Sequence, residues 1–195
     1  MTRMFQGRDI QAAFSIEGPF LSCGGHAPPP PLVIEDRLDF DQGLLMLNVR
    51  NAGPDEAVFH LYDGLLKTPS PQRHRLKAGK SLSLAWPADL YDLHLIAPDG
   101  LYRRFAGRLK ADGSTSASLV PARRGLGLIL GLTSLQTGWF CLVDESGRRT
   151  TRRSRILAGE RRHLRIPVHA DGWYDVSVSR VGGVFRRRFA GRLFA

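Results

Sequence analysis

The sequence has no apolar run long enough to cross a bilayer as a helix. Its most apolar stretch, Leu126–Leu135, is short and broken by Gly131, where a span needs about 18–20 apolar residues. It reads instead as a buried strand. Cysteine is scarce: Cys23 and Cys141 are the only two. They lie far apart and mark no disulfide framework, so both read as free or buried thiols, each behaving as a small hydrophobe. Residues 1–20 lack a basic region followed by an apolar segment, so no secretory leader is read there.

Motifs for chemistry are missing as well. The chain has no His-Glu-x-x-His, no Cys-x-x-Cys, no Gly-x-Ser-x-Gly and no Gly-x-x-x-x-Gly-Lys. The six histidines have no metal-ligand spacing. Gly125-Leu126-Gly127-Leu128 lies in an apolar strand rather than at a strand-to-helix turn, which argues against a dinucleotide loop. The neighbouring carboxylates Asp55-Glu56 and Asp144-Glu145 read as solvated turn residues, because adjacent side chains in an extended backbone point apart. No catalytic residue, metal or cofactor is expected. A clean helical period of apolar residues is also absent.

Turns and short strands are what the composition favours, with 21 Gly and 12 Pro in 195 residues. Charge is unevenly placed. Through Asp112 there are 13 basic and 13 acidic residues. From Gly113 on there are 15 arginines against 5 acidic residues, so this part carries the whole net charge of +10. Such a field attracts anionic partners. The candidate contacts for an anion or lipid headgroup are Arg148, Arg149, Arg152, Arg153, Arg161 and Arg162. Nucleic acid is an unlikely partner, because neither an aromatic-and-basic single-strand platform nor a recognition helix is evident.

An internal repeat organises the chain. Leu76-Lys77-Ala78-Gly79, Tyr91-Asp92 and Arg103-Arg104-Phe105-Ala106-Gly107 return in the same order as Ile156-Leu157-Ala158-Gly159, Tyr174-Asp175 and Arg187-Arg188-Phe189-Ala190-Gly191, at offsets of 80, 83 and 84 positions. The expected division is a tail and polyproline linker over 1–31, a first β-domain over 32–109 and a second over 114–195, joined by a polar linker at 110–113. Strands are expected at Leu44–Val49, Ala57–Tyr62, Ser81–Trp86, Tyr91–Leu95 and Leu101–Phe105, with counterparts at Gly127–Leu132, Trp139–Val143, His163–Pro167 and Tyr174–Val178. Alternation and turn signals every 8–12 residues give an all-β fold: two small tandem β-sandwiches of antiparallel sheets with Greek-key connections.

Strand alternation puts Tyr91 and Phe105, with Tyr174 and Phe189, toward the cores. Arg103 and Arg187 share that face and are expected to be buried along their stems. Asp92 and Arg104, and Asp175 and Arg188, face outward and can pair across strands. Gly107 and Gly191 are expected where backbones approach closely. A residue repeated in both copies serves first the fold both copies share, so these twelve positions read as a structural signature. Trp86, Trp139 and Trp173 read as core packing.

The run Leu90-Tyr91-Asp92-Leu93, then Pro98-Asp99-Gly100 and Arg103-Arg104-Phe105-Ala106-Gly107, resembles the C-terminal repeat of bacterial phosphocholine-preferring phospholipases C. Gly172-Trp173-Tyr174-Asp175 and Arg187-Arg188-Phe189-Ala190-Gly191 are similar to the same signature. Ser134-Leu135-Gln136-Thr137 departs from it, standing where an Asn-and-Gly turn is expected. The resemblance implies two repeats that follow a separate phosphoesterase domain in enzymes usually exported to hydrolyse phosphatidylcholine or sphingomyelin. It implies a non-catalytic accessory role here, with the catalytic domain as partner in cis or trans and a phospholipid surface as a second contact. The alternative is a free-standing basic module for an anionic partner. An exported or extracellular location follows if the chain keeps the family habit.

Overall fold

Alternating burial builds the sheets. In the segment 44–51, Leu45, Leu47 and Val49 have almost no exposed surface while the residues between them face outward, as period-two alternation requires. Leu82, Leu84 and Trp86 repeat the pattern, and so do Leu128, Leu130 and Leu132. The computed structural model describes residues 32–98, 100–112, 115–122, 127–146, 150–166, 168–169 and 171–193. The tail, Cys23, Arg148 and Arg149 lie outside the described residues.

The first half contains β1 (Leu32–Asp39), β2 (Leu44–Asn51), β3 (Ala57–Asp63), β4 (Gln72–Leu76), β5 (Ser81–Pro87), β6 (Tyr91–Ala97) and β7 (Leu101–Gly107). After one helical turn, α1 (Leu109–Asp112), come β8 (Thr115–Pro121), β9 (Leu128–Ser134), β10 (Gly138–Asp144), β11 (Thr151–Ile156), β12 (Arg161–Ile166), β13 (Trp173–Arg180) and β14 (Arg186–Arg192). The fold is all-β and antiparallel. Strands β1-β2-β5 form one three-stranded sheet and β12-β9-β8 another. In each half the chain leaves the small sheet for two strands and returns to it, a Greek-key path.

Each small sheet covers one half of a single eight-stranded sheet, ordered β11-β10-β13-β14-β7-β6-β3-β4. Two cores result. One gathers Leu45, Leu47, Phe59, Leu61, Tyr91, Leu93 and Phe105, and the other Leu130, Leu132, Phe140, Val176, Val178, Phe185 and Phe189. Each such side chain contributes about 1.5–3 kcal/mol relative to exposure.

Of the segment expected as a polar linker, residues 110–112 lie in α1. Leu109 packs into the first core and its N–H donates to Ala88 O at 2.8 Å. Buried Asp112 accepts from the Arg108 N–H at 3.3 Å.

The two halves are joined through their last strands. β7 and β14 pair antiparallel, with Arg104 opposite Arg188, Arg103 opposite Phe189 and Phe105 opposite Arg187. Arg104 thus faces its own equivalent in the second repeat, and the pairs on either side are exchanged about a local two-fold axis through Arg104 and Arg188.

The departure at Ser134 also has its explanation here. Asn51 is fully buried. Its side chain donates to Asp55 O and Leu76 O and accepts from the Gly53 N–H, and its carbonyl accepts from Gly79. Ser134 holds the same place in β9. Its carbonyl accepts from Gly159, and its hydroxyl donates to Gln136 O at 2.7 Å. A shorter side chain closes a tighter turn.

Candidate functional site

The strand pair β7–β14 collects the repeated residues, and its inner face exchanges arginines between the halves. Arg187 comes from the second repeat but points into the first core, with no exposed side-chain surface. Its Nη1 donates to Ala106 O and Arg186 O, both at 2.9 Å. Its Nη2 donates to the Tyr91 hydroxyl at 3.1 Å and to Asp36 Oδ2 at 2.7 Å, and Nε reaches the same oxygen at 3.1 Å. The guanidinium stands over the rings of Tyr91, Phe105 and Phe185, where cation–π attraction adds to the ion pair. Burial opposes the charge, but Asp36 and Tyr91 outweigh it, so this arginine stays protonated.

Arg103 makes the reciprocal reach. Its Nη1 donates to Tyr102 O at 2.8 Å and Ala190 O at 2.7 Å, its Nη2 to the Tyr174 hydroxyl at 2.9 Å. Its guanidinium stands over Tyr174 and Phe189. Burial here thus extends past the stem expected from sequence to the charged head of Arg187.

The signature glycines serve these tyrosines. Tyr91 is opposite Gly107 and Tyr174 opposite Gly191. A Cβ on Gly107 would meet the Tyr91 hydroxyl at 2.6 Å, and one on Gly191 the Tyr174 hydroxyl at 2.8 Å. The close approach is therefore of a ring that lies across its own hairpin, not of a second backbone. Tyrosine, glycine and arginine form one device: the glycine lets the ring lie flat, and the ring presents its hydroxyl to the other repeat's arginine.

The outer face carries two bidentate ion pairs. Arg104 donates to Asp92 at 2.8 and 2.6 Å, and Arg188 to Asp175 at the same distances. Each pair is diagonal, since Asp92 is opposite Ala106 and Arg104 opposite His94. His94 Nε2 lies 3.3 Å from Asp92, and its Nδ1 is hydrogen-bonded to the Tyr102 hydroxyl at 2.8 Å. Burial alone would raise Asp92, but His94 and Arg104 override it and bring the carboxyl to about 2. Burial pushes the Tyr102 phenol up to about 12, against the pull of Arg104 and Arg188.

The described arginines among those singled out by charge stand on two sheet edges, which the Arg162–Ser154 hydrogen bond brings together. Arg152 and Arg153 lie on β11, at the edge of the large sheet. Arg161 and Arg162 lie on β12, at the edge of a small one. Arg162 is held by Glu160 at 2.6 Å and by Ser154 at 2.8 Å, so its charge is already paired. Trp139 and Trp173 are 52% and 39% exposed, which overturns their reading as core. They occupy outward positions opposite Arg155 and Arg192. Trp86 is the partly buried one, donating from Nε1 to Asp63 at 3.3 Å across the end of the first sandwich.

Ser146 lies between Asp144 and His169 Nε2. The carboxylate holds the serine rather than the far nitrogen of the histidine, so it does not orient a base as a Ser-His-Asp relay requires. Among the described residues, no group of three or more His, Cys, Asp or Glu could hold a metal ion. Cys141 is a free thiol.

Two three-on-four sandwiches sharing one sheet, with arginines exchanged across a local dyad, define a duplicated β-sandwich module. The chain belongs to the family of the bacterial phospholipase C C-terminal domain, whose family model matches residues 31–108 and 133–192. No curated protein matches it. Among solved structures it is similar to a red sea bream transglutaminase, at 11% identity and a TM-score of 0.23, over 80% of this chain and 29% of that one. It is also similar to a structure titled for neurohormone perception by the receptor tyrosine kinase Torso, at 8% identity and a TM-score of 0.24, over 86% of this chain and 76% of that one. The chain thus spans less than a third of the transglutaminase's length.

Proposed function

We propose that the chain is a non-catalytic accessory module that holds a phospholipase C catalytic domain at its phospholipid surface and meets that surface with one apolar end. One observation carries this reading: the exposed apolar side chains are segregated. β7 ends where β14 begins, so that end of the shared sheet gathers loops from both halves. From the first come Phe40, Leu65, Leu66 and Leu90, and from the second Leu135, Trp139, Leu157, Val181 and Val184, all at least 42% exposed. Only Val120 and Trp173 among the large exposed hydrophobics of the described residues lie at the other end.

An apolar end of this kind marks an interaction site, and an indole among arginines suits a lipid–water interface. Arg155, Arg161 and Arg186 stand near these loops in the second half. A second reading places the catalytic domain itself on this end. It is favoured by Asp39, Asp41, Asp63 and Asp89, which accompany the apolar residues of the first half and would repel anionic lipid.

Co-sedimentation with phosphatidylcholine vesicles, with and without anionic lipid, tests the proposal. The expected result is binding that anionic lipid strengthens and salt weakens in part, since only the arginine share is screened. Burying a Leu or Trp contributes about 1.5–3 kcal/mol, so Leu66→Asp and Trp139→Asp should each weaken partition about tenfold or more. No sedimentation with either vesicle, together with capture of a separately produced catalytic domain, would transfer this end to the second reading.

A further inference from the structure

The exchange of arginines between the repeats is symmetric except at one place. In β1, Asp36 is opposite Leu47, and in β8, Leu119 is opposite Leu130. Leu47 and Leu130 are equivalent, because each lies four positions before the residue whose carbonyl accepts from the conserved Ala-Gly turn, Asn51 or Ser134. Leu119 therefore stands where the carboxylate of Asp36 stands in the other half. Arg103 makes the same three bonds to neutral groups that Arg187 makes, to two carbonyls and a tyrosine hydroxyl. It lacks the fourth partner: no carboxylate among the described residues pairs with it, while Arg187 has Asp36 on Nε and Nη2.

The space beside it is open as well. Phe185, two positions before Arg187, covers that guanidinium at 4.6 Å. The residue two positions before Arg103 is the smaller Leu101. Arg103 opens onto a cavity of about 520 Å³ between the halves, walled by Leu32, Ile34, Leu101, Leu119 and Leu128 and by the ring of Phe189. That volume falls within the roughly 300–1,000 Å³ of small-ligand sites. Glu35 and Glu56 also line it. Both are exposed, and Glu56 is engaged by Arg75 at 3.6 Å.

We propose that this cavity binds a carboxylate carried on an apolar chain. The head takes the place beside Arg103 that Asp36 takes beside Arg187, and the chain lies along the leucine walls. The chemistry follows from the twin site. The forked guanidinium edge matches two carboxylate oxygens, and its neutral bonds are already made, so the arginine is held in place before the ligand arrives. Leucines where a carboxylate would complete the pair select a ligand that brings its own charge and buries its own tail. The exposed acids favour a single negative charge, placed at the arginine and away from them. This inference stands apart from the membrane reading, since Arg103 is on the inner face of the sheet.

Calorimetric titration of the full chain with dodecanoate below its micelle concentration tests it. One saturable site is expected, with dodecanol at least tenfold weaker. Arg103→Gln should weaken dodecanoate at least tenfold. Leu119→Asp should do the same by supplying the missing carboxylate internally. Far-UV circular dichroism and a melting curve check that each variant is folded, and Arg103→Lys, which keeps the charge but not the fork, should bind at an intermediate level. Leu66→Asp should bind dodecanoate normally. The assignment is overturned by no saturable binding, by dodecanol binding equally, by unchanged binding in folded Arg103→Gln, or by dodecyl phosphate binding where dodecanoate does not. Loss of binding in Leu66→Asp would equally overturn it, by moving the seat to the apolar end.

Discussion

Arg187 has no exposed side-chain surface, and one carboxylate neutralises it. A buried cation deprived of its partner costs about 3–5 kcal/mol. Asp36→Asn should therefore lower stability by about that amount, measured by urea unfolding, whereas replacing Asp36 and Arg187 together by leucine should recover much of the loss. Asp92 gives a pH signature. Its carboxyl is held at about 2 against an ordinary 3.8. A depressed acid contributes stability that is complete above its unfolded value and lost as pH falls through the folded one. The contribution is about 2 kcal/mol. Unfolding free energies of the native chain and Asp92→Asn, from urea titration, should differ by that amount at pH 7 and converge as pH falls from about 4 toward 2. A constant difference across that window would place the effect elsewhere. The pairing of Arg187 with Asp36 was not legible beforehand. Asp36 lies in β1, where the repeat has no sequence likeness, and the arginine's destination in the other half depends on a strand pairing between residues more than 80 positions apart.

At the scale of elements, the strands read from alternation are those with a buried face and a turn signal at one end. β14 was read only as the partner of Tyr174–Val178, without bounds, and the strands not read at all, β1, β4, β8 and β11, are edge strands. An edge strand is covered on fewer sides, so its outward residues are free to be charged and the period-two pattern is diluted. Gln72-Arg73-His74-Arg75 and Thr151-Arg152-Arg153-Ser154-Arg155 look like solvated charge runs. The repeat did reveal Tyr-Asp and Arg-Phe-Ala-Gly as a fold signature. It did not reveal that β7 and β14 pair, since an unpaired edge leaves no composition signal. That pairing, with an arginine crossing each way, should make the halves unfold together. Single-tryptophan variants retaining Trp86 in the first half or Trp139 in the second should show coincident urea transitions. Separate midpoints would mean that the seam does not couple them.

For the molecule as a whole, the local dyad explains why loops from both repeats reach the same end. It brings opposite ends of the two repeats together, so the apolar surface there is a composite that neither repeat has alone. The predicted loss of vesicle binding on substituting either half, Leu66 or Trp139, belongs to this scale, because both contributions are needed for one flat contact. The shared sheet has a further consequence. Joining two copies through their last strands leaves β4 and β11, equivalent strands of the two repeats, as its outer borders. Pairing one border of a molecule with the other border of the next is an arrangement that never closes and would lengthen into a ribbon. Arg73 and Arg75 on one border and Arg152, Arg153 and Arg155 on the other are exposed, and any such junction would bring like charges face to face. Arginine on both borders therefore opposes edge-to-edge pairing of the duplicated sheet.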